Sequence, residues 1–282
     1  LLVVLLTSSL AASDLVVESD NPDDLSSATK NVIVKICGAD KKLTKLVFDP
    51  KHLTNYTFMD DVNSILHESS REQQISLRVM TTYEVRLHHR AQCIIIITSS
   101  CDEFKAFFSN SFIAHLDNEH SPLLIVLLST TDDSYKVMSV FDYLWNASVY
   151  NVNMLTKKTD VNGISVLTYF PFQGHHCADT TPTLINEFYD GKFINSTTNF
   201  FPNKFSDLQE CPIRVATSNN SQPYIFAEKS QNGSVELHGR EVTFLNALAK
   251  SLNFKVDYVY IGKEGVLLEN GTAEGIYKEL VD

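Results

Sequence analysis

Two stretches constrain the fold of this chain more than any others: Cys93-Ile-Ile-Ile-Ile-Thr98 and Leu123-Leu-Ile-Val-Leu-Leu128. A strand with one wet face alternates polar and apolar residues, so a stretch that is apolar throughout has both faces covered. Between them lies Asp102–Leu116, where Phe104, Phe107, Phe108, Phe112, Ile113 and Leu116 fall on one helical stripe. Buried strand, amphipathic helix, buried strand is the pattern of a parallel sheet with helices on both faces. The expected fold class is therefore doubly wound α/β over residues 31–170. Asn31–Cys37, Ile75–Met80, Ser148–Leu155 and Ile164–Phe170 read as further strands. Thr82–Arg90 and Ser134–Trp145 read as helices. So does Thr54–Ser69, which carries Phe58, Val62, Ile65 and Leu66 at helical spacing, with Thr54 or Asn55 as its cap.

The text changes after Phe170. Gly174-His-His-Cys177, Pro182, Gly191 and Pro202 mark a connecting region, with a short helical stretch expected near Thr183–Tyr189. The boundary falls near Ser206, which separates an α/β domain with its connector, residues 28–205, from a smaller unit, residues 206–282. That unit reads as strand Ile213–Thr217, a loop with a small hairpin at Ser218–Gly239, and helix Glu241–Leu252. Strand Lys255–Ile261, a turn-rich Gly262–Gly271 and a helix at Gly275–Val281 follow. The inward residues of Glu241–Leu252 are expected to be Val242, Leu245, Leu248 and Ala249. A unit with an open strand edge and one short final helix is expected to be part of a larger domain.

The opening bears on compartment. Leu1–Leu6 is apolar and passes into small residues up to Ser13, the pattern of a signal-peptide remnant at residues 1–13 that is cleaved near Ala12. A buried first strand is the alternative, but the run meets polar Ser13–Ser27 with Pro22 instead of a turn. Sequons at Asn55, Asn146, Asn195, Asn219, Asn232 and Asn270 also suit a secreted chain as glycosylation sites. Later segments stay short of the roughly 18 apolar residues of a membrane helix. Acidic residues number 34 against 23 basic, a net charge of −11, the wrong sign for general nucleic-acid binding.

Five cysteines are too few for a disulfide scaffold. Cys93 opens an apolar run and reads as a buried thiol. Cys177 and Cys211 lie in polar, loop-like surroundings and are the most bridge-capable pair, although five cysteines leave other pairings open.

Signs of catalysis are missing. The nucleophile-elbow, phosphate-loop, dinucleotide and zinc-protease motifs do not occur, and the carboxylates are scattered. His88-His89 and His175-His176-Cys177 invite a metal reading. Adjacent residues point to opposite faces of a strand or diverge by about 100° on a helix, which is poor chelating geometry. His115 and His120 flank Asp117 and Glu119, as a solvated helix end would. No metal and no cofactor are expected.

The last stretch carries a resemblance. Cys211-Pro-Ile-Arg-Val-Ala-Thr-Ser-Asn-Asn-Ser-Gln-Pro223-Tyr224-Ile-Phe226 resembles the opening strand and agonist-side loop of the ionotropic glutamate receptor ligand-binding domain. Gly239-Arg-Glu-Val-Thr-Phe-Leu-Asn-Ala-Leu-Ala-Lys-Ser-Leu-Asn-Phe254 is similar to the helix that follows. Gly271-Thr-Ala-Glu-Gly275-Ile-Tyr-Lys-Glu279-Leu280 is similar to the next segment. Phe200-Phe-Pro-Asn-Lys204 upstream of Cys211-Pro212 is closest to the divergent branch of insect chemosensory ionotropic receptors. Usable motifs span roughly residues 200–282, and the first 200 residues match in general character.

The resemblance implies a small-molecule ligand, with Tyr224, Pro223 and Gly239 as the ligand-side residues. Pro223 presets a turn, and Tyr224 is the aromatic that in the family covers the agonist. Gly239 lets the backbone turn into the helix, whose first amides can face an anion. Thr243 stands where the family has an acid and Ala273 where it has Trp, so an amino-acid ligand does not follow.

The implied protein is a ligand-gated cation channel at the cell membrane, homo- or heterotetrameric, with this chain as an extracellular fragment ahead of the pore. From a different class comes a secreted solute-binding protein of periplasmic-binding architecture. A secreted enzyme has no motif behind it. A hydrophobic segment downstream of Asp282 would separate the first two.

Overall fold

The computed structural model describes residues 24–37, 43–70, 76–81, 93–111, 121–130, 133–159, 161–217, 222–229, 235–261, 265–268 and 272–281. The chain divides into two compact units: Leu1–Thr168 with Leu184–Phe201, and Tyr169–Thr183 with Pro202–Asp282.

In chain order the first unit begins with α1 (Asp24–Cys37), β1 (Leu43–Phe48), a 3₁₀ turn at Pro50–Thr54, α2 (Tyr56–Ser70) and β2 (Ser76–Thr81). Then come β3 (Cys93–Thr98), α3 (Cys101–Ser111), β4 (Leu123–Thr130), α4 (Ser134–Asn146), β5 (Val152–Lys157) and β6 (Ile164–Thr168). The short strands β7 (Phe172–Gln173) and β8 (His176–Cys177) fall in the second unit. The chain returns to the first through β9 (Thr183–Tyr189) and β10 (Lys192–Phe193). The second unit resumes with β11 (Pro212–Thr217), β12 (Phe226–Lys229), β13 (Val235–His238) and α5 (Arg240–Leu252). It ends with β14 (Lys255–Tyr260), β15 (Val266–Leu267), β16 (Ala273–Glu274) and α6 (Ile276–Val281).

One eight-stranded sheet of order β10-β9-β6-β5-β4-β3-β1-β2 organises the first unit. Strands β2, β1, β3, β4 and β5 are parallel, with Ile95 of β3 level with Leu46 of β1 and Leu124 of β4. β6 runs antiparallel to β5, and β10 antiparallel to β9, so the sheet is mixed: parallel from β2 to β5, as the interior apolar strands predicted, and antiparallel towards its β6 and β10 end. Lys158 explains part of the reversal. Its backbone N–H donates to Gly163 O at 3.0 Å and closes a tight loop, which leaves no room for a crossover helix.

All six residues of β3 are buried, as are Leu123–Leu127 of β4. Ile95, Ile97, Leu124 and Val126 share a core cluster with Leu25, Ala28, Val32 and Ile33 of α1 and Phe58, Val62 and Ile65 of α2. Ile94, Ile96 and Ile125 point the other way and are buried too. Alternation along a strand therefore requires cover on the second face. α3 and α4 supply it, with Phe104, Phe108, Phe141 and Leu144 buried and Phe108 edge-on to Tyr143 at 5.8 Å. Asp133 caps α4 by accepting from the Tyr135 and Lys136 amides. Asn55 Oδ1 accepts from the Phe58 amide at the start of α2.

Two expected elements change type. Asn31–Cys37, expected as a strand for its β-branched residues, is the second half of α1. Leu25, Ala28, Thr29, Val32 and Ile33 are all buried, a helical stripe that overrides strand propensity. Thr183–Tyr189, expected as a short helix, is strand β9. Asn186 ties it to the next turn, donating to Asn195 O and Thr198 Oγ1 and accepting from the Asn195 amide. The helix expected at Thr82–Arg90 lies outside the described residues, as does the end of the one expected at Asp102–Leu116.

The second unit is thinner. β11 and β14 form a two-stranded parallel sheet crossed by α5. Their core is Leu208, Ala249 and Phe254, against which Phe172, Phe205, Leu252 and Val256 pack half-buried. A disulfide joins Cys177 to Cys211, with Cα atoms 5.7 Å apart.

Candidate functional site

The residues singled out for ligand contact assemble at the start of α5. Pro223 and Tyr224 follow β11, and β12 and β13 then form an antiparallel hairpin that leads into Gly239. Gly239 has φ +123° and ψ 177°, a conformation essentially reserved for glycine. A Cβ there would lie 2.3 Å from Tyr224 O, so the glycine also allows two backbone segments to touch.

The contact is made by hydrogen bonds. The Glu241 amide donates to Tyr224 O at 3.0 Å and the Arg240 amide to Pro223 O at 3.4 Å. These are among the first amides of α5, the groups expected from sequence to face an anion. The Pro223–Tyr224 carbonyls occupy them instead, since the first amides of a helix have no partner within it and bond whatever acceptor packs against them. The sequence-based anion role for these two amides is thereby corrected.

Beside this junction lies an open concavity of about 570 Å³. Pro223, Phe226 and Gly239 form one side of it. The other is a stripe along α5, Arg240, Thr243, Phe244 and Ala247, at the i, i+3, i+4, i+7 spacing of a helix face. Tyr224 is not part of this lining. It is half exposed, and the Arg240 guanidinium sits over its ring, 5.7 Å from the centroid. The Thr243 hydroxyl donates back to Gly239 O at 3.0 Å. No residue of α6 is in this lining.

Sequence reasoning missed the outward stripe. It placed Val242, Leu245, Leu248 and Ala249 inward. Val242 and Ala249 are buried, but Leu248 is exposed and Phe244 is 67% exposed. The signal was present in the text: Phe244 and Leu248 form their own i, i+4 pair, on the side away from Val242.

The other candidates resolve one by one. Cys93 was expected to be a free thiol, yet it is disulfide-bonded, while the buried Cys101 remains free among the described residues. Burial raises the Cys101 thiol above its ordinary value, so it is poorly reactive. His175 and His176 are exposed, and the bonded Cys177 has no thiolate to add to them. Among the described residues no three His, Cys, Asp or Glu side chains are grouped to hold a metal. His88, His89, His115 and His120 lie outside the described residues.

Sequon residues Asn55, Asn146 and Asn195 are exposed. Asn55 and Asn195 each accept, through Oδ1, the hydroxyl of the sequon threonine at 2.8 Å. Asn219, Asn232 and Asn270 lie outside the described residues.

A buried lysine accompanies the site in the same unit. Lys204 is 7% exposed, and its Nζ lies 4.5 Å from the Tyr169 ring centroid and 5.7 Å from that of Phe170. Burial pulls its ammonium down from 10.5 to about 7, and the ring faces oppose that pull by favouring the cation. Burial also pushes the Tyr169 phenol well above its usual value.

Residues 18–207 match the family model described as "Putative ionotropic receptor, ligand binding domain", about two thirds of the chain. The chain belongs to this family. It is a receptor family and not an enzyme family, which agrees with the missing catalytic motifs. The match covers the eight-stranded sheet, and the Pro223–Gly239 site lies beyond its end. A comparison with curated proteins finds no match. Among the described residues no helix is long and apolar enough to cross a membrane.

Proposed function

We propose that this chain is an extracellular, ligand-recognising portion of a ligand-gated cation channel, in the insect chemosensory branch of the ionotropic receptors. The observation that carries the reading is the junction at Gly239, where a proline–tyrosine turn docks on the first amides of a helix beside an open concavity. In this reading residues 28–205 are the N-terminal α/β domain with its connector, and 206–282 are part of one ligand-binding lobe. Tyr224, Pro223 and Gly239 stand on the ligand side, and Asn55, Asn146 and Asn195 carry glycans. The full-length protein sits in the cell membrane as a tetramer. Ligand-driven closure of the lobe against a second wall then supplies the differential contacts that open a pore.

Expression of the full-length gene in a cell with low background conductance tests this. Odorants and small metabolites should evoke cation currents, with Tyr224→Ala shifting the half-maximal concentration upward about tenfold or more. A secreted product that binds solutes without any current would instead identify a soluble binding protein.

A further inference from the structure

The eight-stranded sheet changes its direction of growth at β1. The chain crosses from β1 to β2 on one side and then to β3 on the other, so that β2, β1, β3, β4 and β5 lie side by side, all parallel. After β1, α2 packs on one face of the sheet together with α1, whereas α3, after β3, covers the other. In open parallel sheets such a reversal leaves a crevice outside the carboxyl ends of the two strands, and small ligands bind there. We infer that this crevice, between the ends of β1 and β3, is a further binding site, and that it takes a neutral polyhydroxy compound of the sugar or inositol class. It is separate from the Pro223–Gly239 concavity, and neither reading depends on the other.

Polar side chains from both strand ends meet at this point. Lys51 Nζ lies 3.3 Å from Asp49 Oδ2 and 3.4 Å from Glu103 Oε1, so one ammonium spans a carboxylate that follows β1 and one that follows β3. His52 is buried, its ring stacked on Phe58 at 4.2 Å between centroids, and its Nε2 lies 3.3 Å from Glu103 Oε2. The Ser99 hydroxyl bonds the Glu103 carboxylate, and Ser100 Oγ accepts from the Glu103 amide at 3.2 Å. His52 and the two serines thus hold Glu103 in place, while half of the Lys51 side chain stays open to solvent.

Charge selects the ligand. An acid would set its charge against Asp49 and Glu103, and an amine would have to displace an ammonium tethered to the same turn. A hydroxyl both donates and accepts, so it bonds Lys51 and a carboxylate at once and leaves their pairing intact. Tyr56, which opens α2 just past this turn, is 86% exposed and presents a ring face of the kind that packs on a sugar's C–H side. The sequon residue Asn55 precedes it and brings a second source of the same chemistry, a glycan on the chain itself.

The test is NMR titration of the ¹⁵N-labelled chain, produced without glycans, following the amides of Lys51, His52, Ser100 and Glu103. The probes are sucrose, myo-inositol, phenylacetate and 2-phenylethylamine. At least one of the two polyols should shift these resonances saturably at millimolar concentration, and the two ions should shift none of them. Lys51→Met and Glu103→Gln should each weaken that binding about tenfold, whereas Lys105→Met, on the same helix as Glu103, should leave it unchanged. Lys51 is exposed, so its variant keeps the fold. In a glycosylated chain, shifts of these amides that vanish with Asn55→Gln and need no added sugar would make the chain's own glycan the occupant.

Equal or larger shifts with phenylacetate or 2-phenylethylamine overturn the ligand class and leave the site standing. Polyol binding that ignores both Lys51→Met and Glu103→Gln overturns the site. If neither the probes nor the glycan move these resonances, site and ligand class fall together.

Discussion

The two units of this chain hold together by different means. In the first, β3 is buried along its whole length, and one cluster runs from α1 and α2 through five strands to Phe188, Phe193 and Phe200. In the second, β11 and β14 are mostly exposed or half-exposed, and among the described residues their shared cluster is built on Leu208, Ala249 and Phe254. Two-stranded sheets are marginal in water. What the second unit lacks in burial is made up by the Cys177–Cys211 disulfide and by the backbone docking of Pro223–Tyr224 on α5. Burial and cross-linking stabilise differently. Burial rewards the folded state, whereas a disulfide mainly restricts the unfolded chain and so tolerates open, ligand-accessible surface.

The contrast breaks first at its strongest point. Phe104→Ala empties a fully buried site in the first unit and should cost about 3–5 kcal/mol. The single tryptophan, Trp145, sits in that unit and reports its unfolding by fluorescence in urea. A loss under about 1 kcal/mol would mean that the aromatic stripe of α3 is not core.

The Cys177→Ser/Cys211→Ser pair should destabilise the second unit by about 4 kcal/mol, given a loop of 34 residues. Hydrogen exchange in β11, β14 and α5 should accelerate while the Trp145 transition stays where it was. A shift of both together would show that the units unfold as one.

Lys204 sharpens the comparison through pH. Its folded pKa is about 7 against an ordinary 10.5, so between these values the unfolded chain binds more protons than the folded one. Stability of the second unit should therefore rise with pH, by up to about 2 kcal/mol from pH 7 to 9. Lys204→Met should flatten the rise in the calorimetric transition of that unit. A decline over this range would put the folded pKa on the other side of 10.5.

Gly239→Ala should cost about 1–3 kcal/mol from backbone conformation alone. It should also release the Tyr224 carbonyl from the Glu241 amide, seen as faster exchange at Glu241. Smallest of all is Phe244→Ala. Its exposed ring should change stability by no more than about 0.5 kcal/mol, measured in the same urea titrations.

Much of this was legible in the residues, for a physical reason. Ile94–Ile97 and Leu123–Leu127 are covered on both faces, and double coverage writes an unbroken apolar run that local reading detects. Phe58, Val62 and Ile65 on α2 and Val137, Val140, Phe141 and Leu144 on α4 write the helical period equally plainly. At the site, Pro223, Tyr224 and Gly239 stood out through the family resemblance, and the turn chemistry of the proline and the glycine is local to them.

The misread elements were decided by partners distant in sequence. Val32 and Ile33 look like strand residues, but α1 packs on α2 and on the sheet, and its buried stripe begins at Leu25, ahead of the apolar run. β9 became a strand because it takes the place beside β6 in the sheet, where β10 then closes against it.

The sequence by itself determined the α/β character, the interior strands and the glycine-dependent turn into α5. Each of these is set by periodicity or by the dihedral limits of single residues. Only the tertiary structure decided that β6 reverses against β5 and that carbonyls close the first amides of α5. Only it set Arg240 beside an apolar concavity. Those outcomes depend on which distant backbone or side chain arrives to satisfy a donor, and local sequence does not record that.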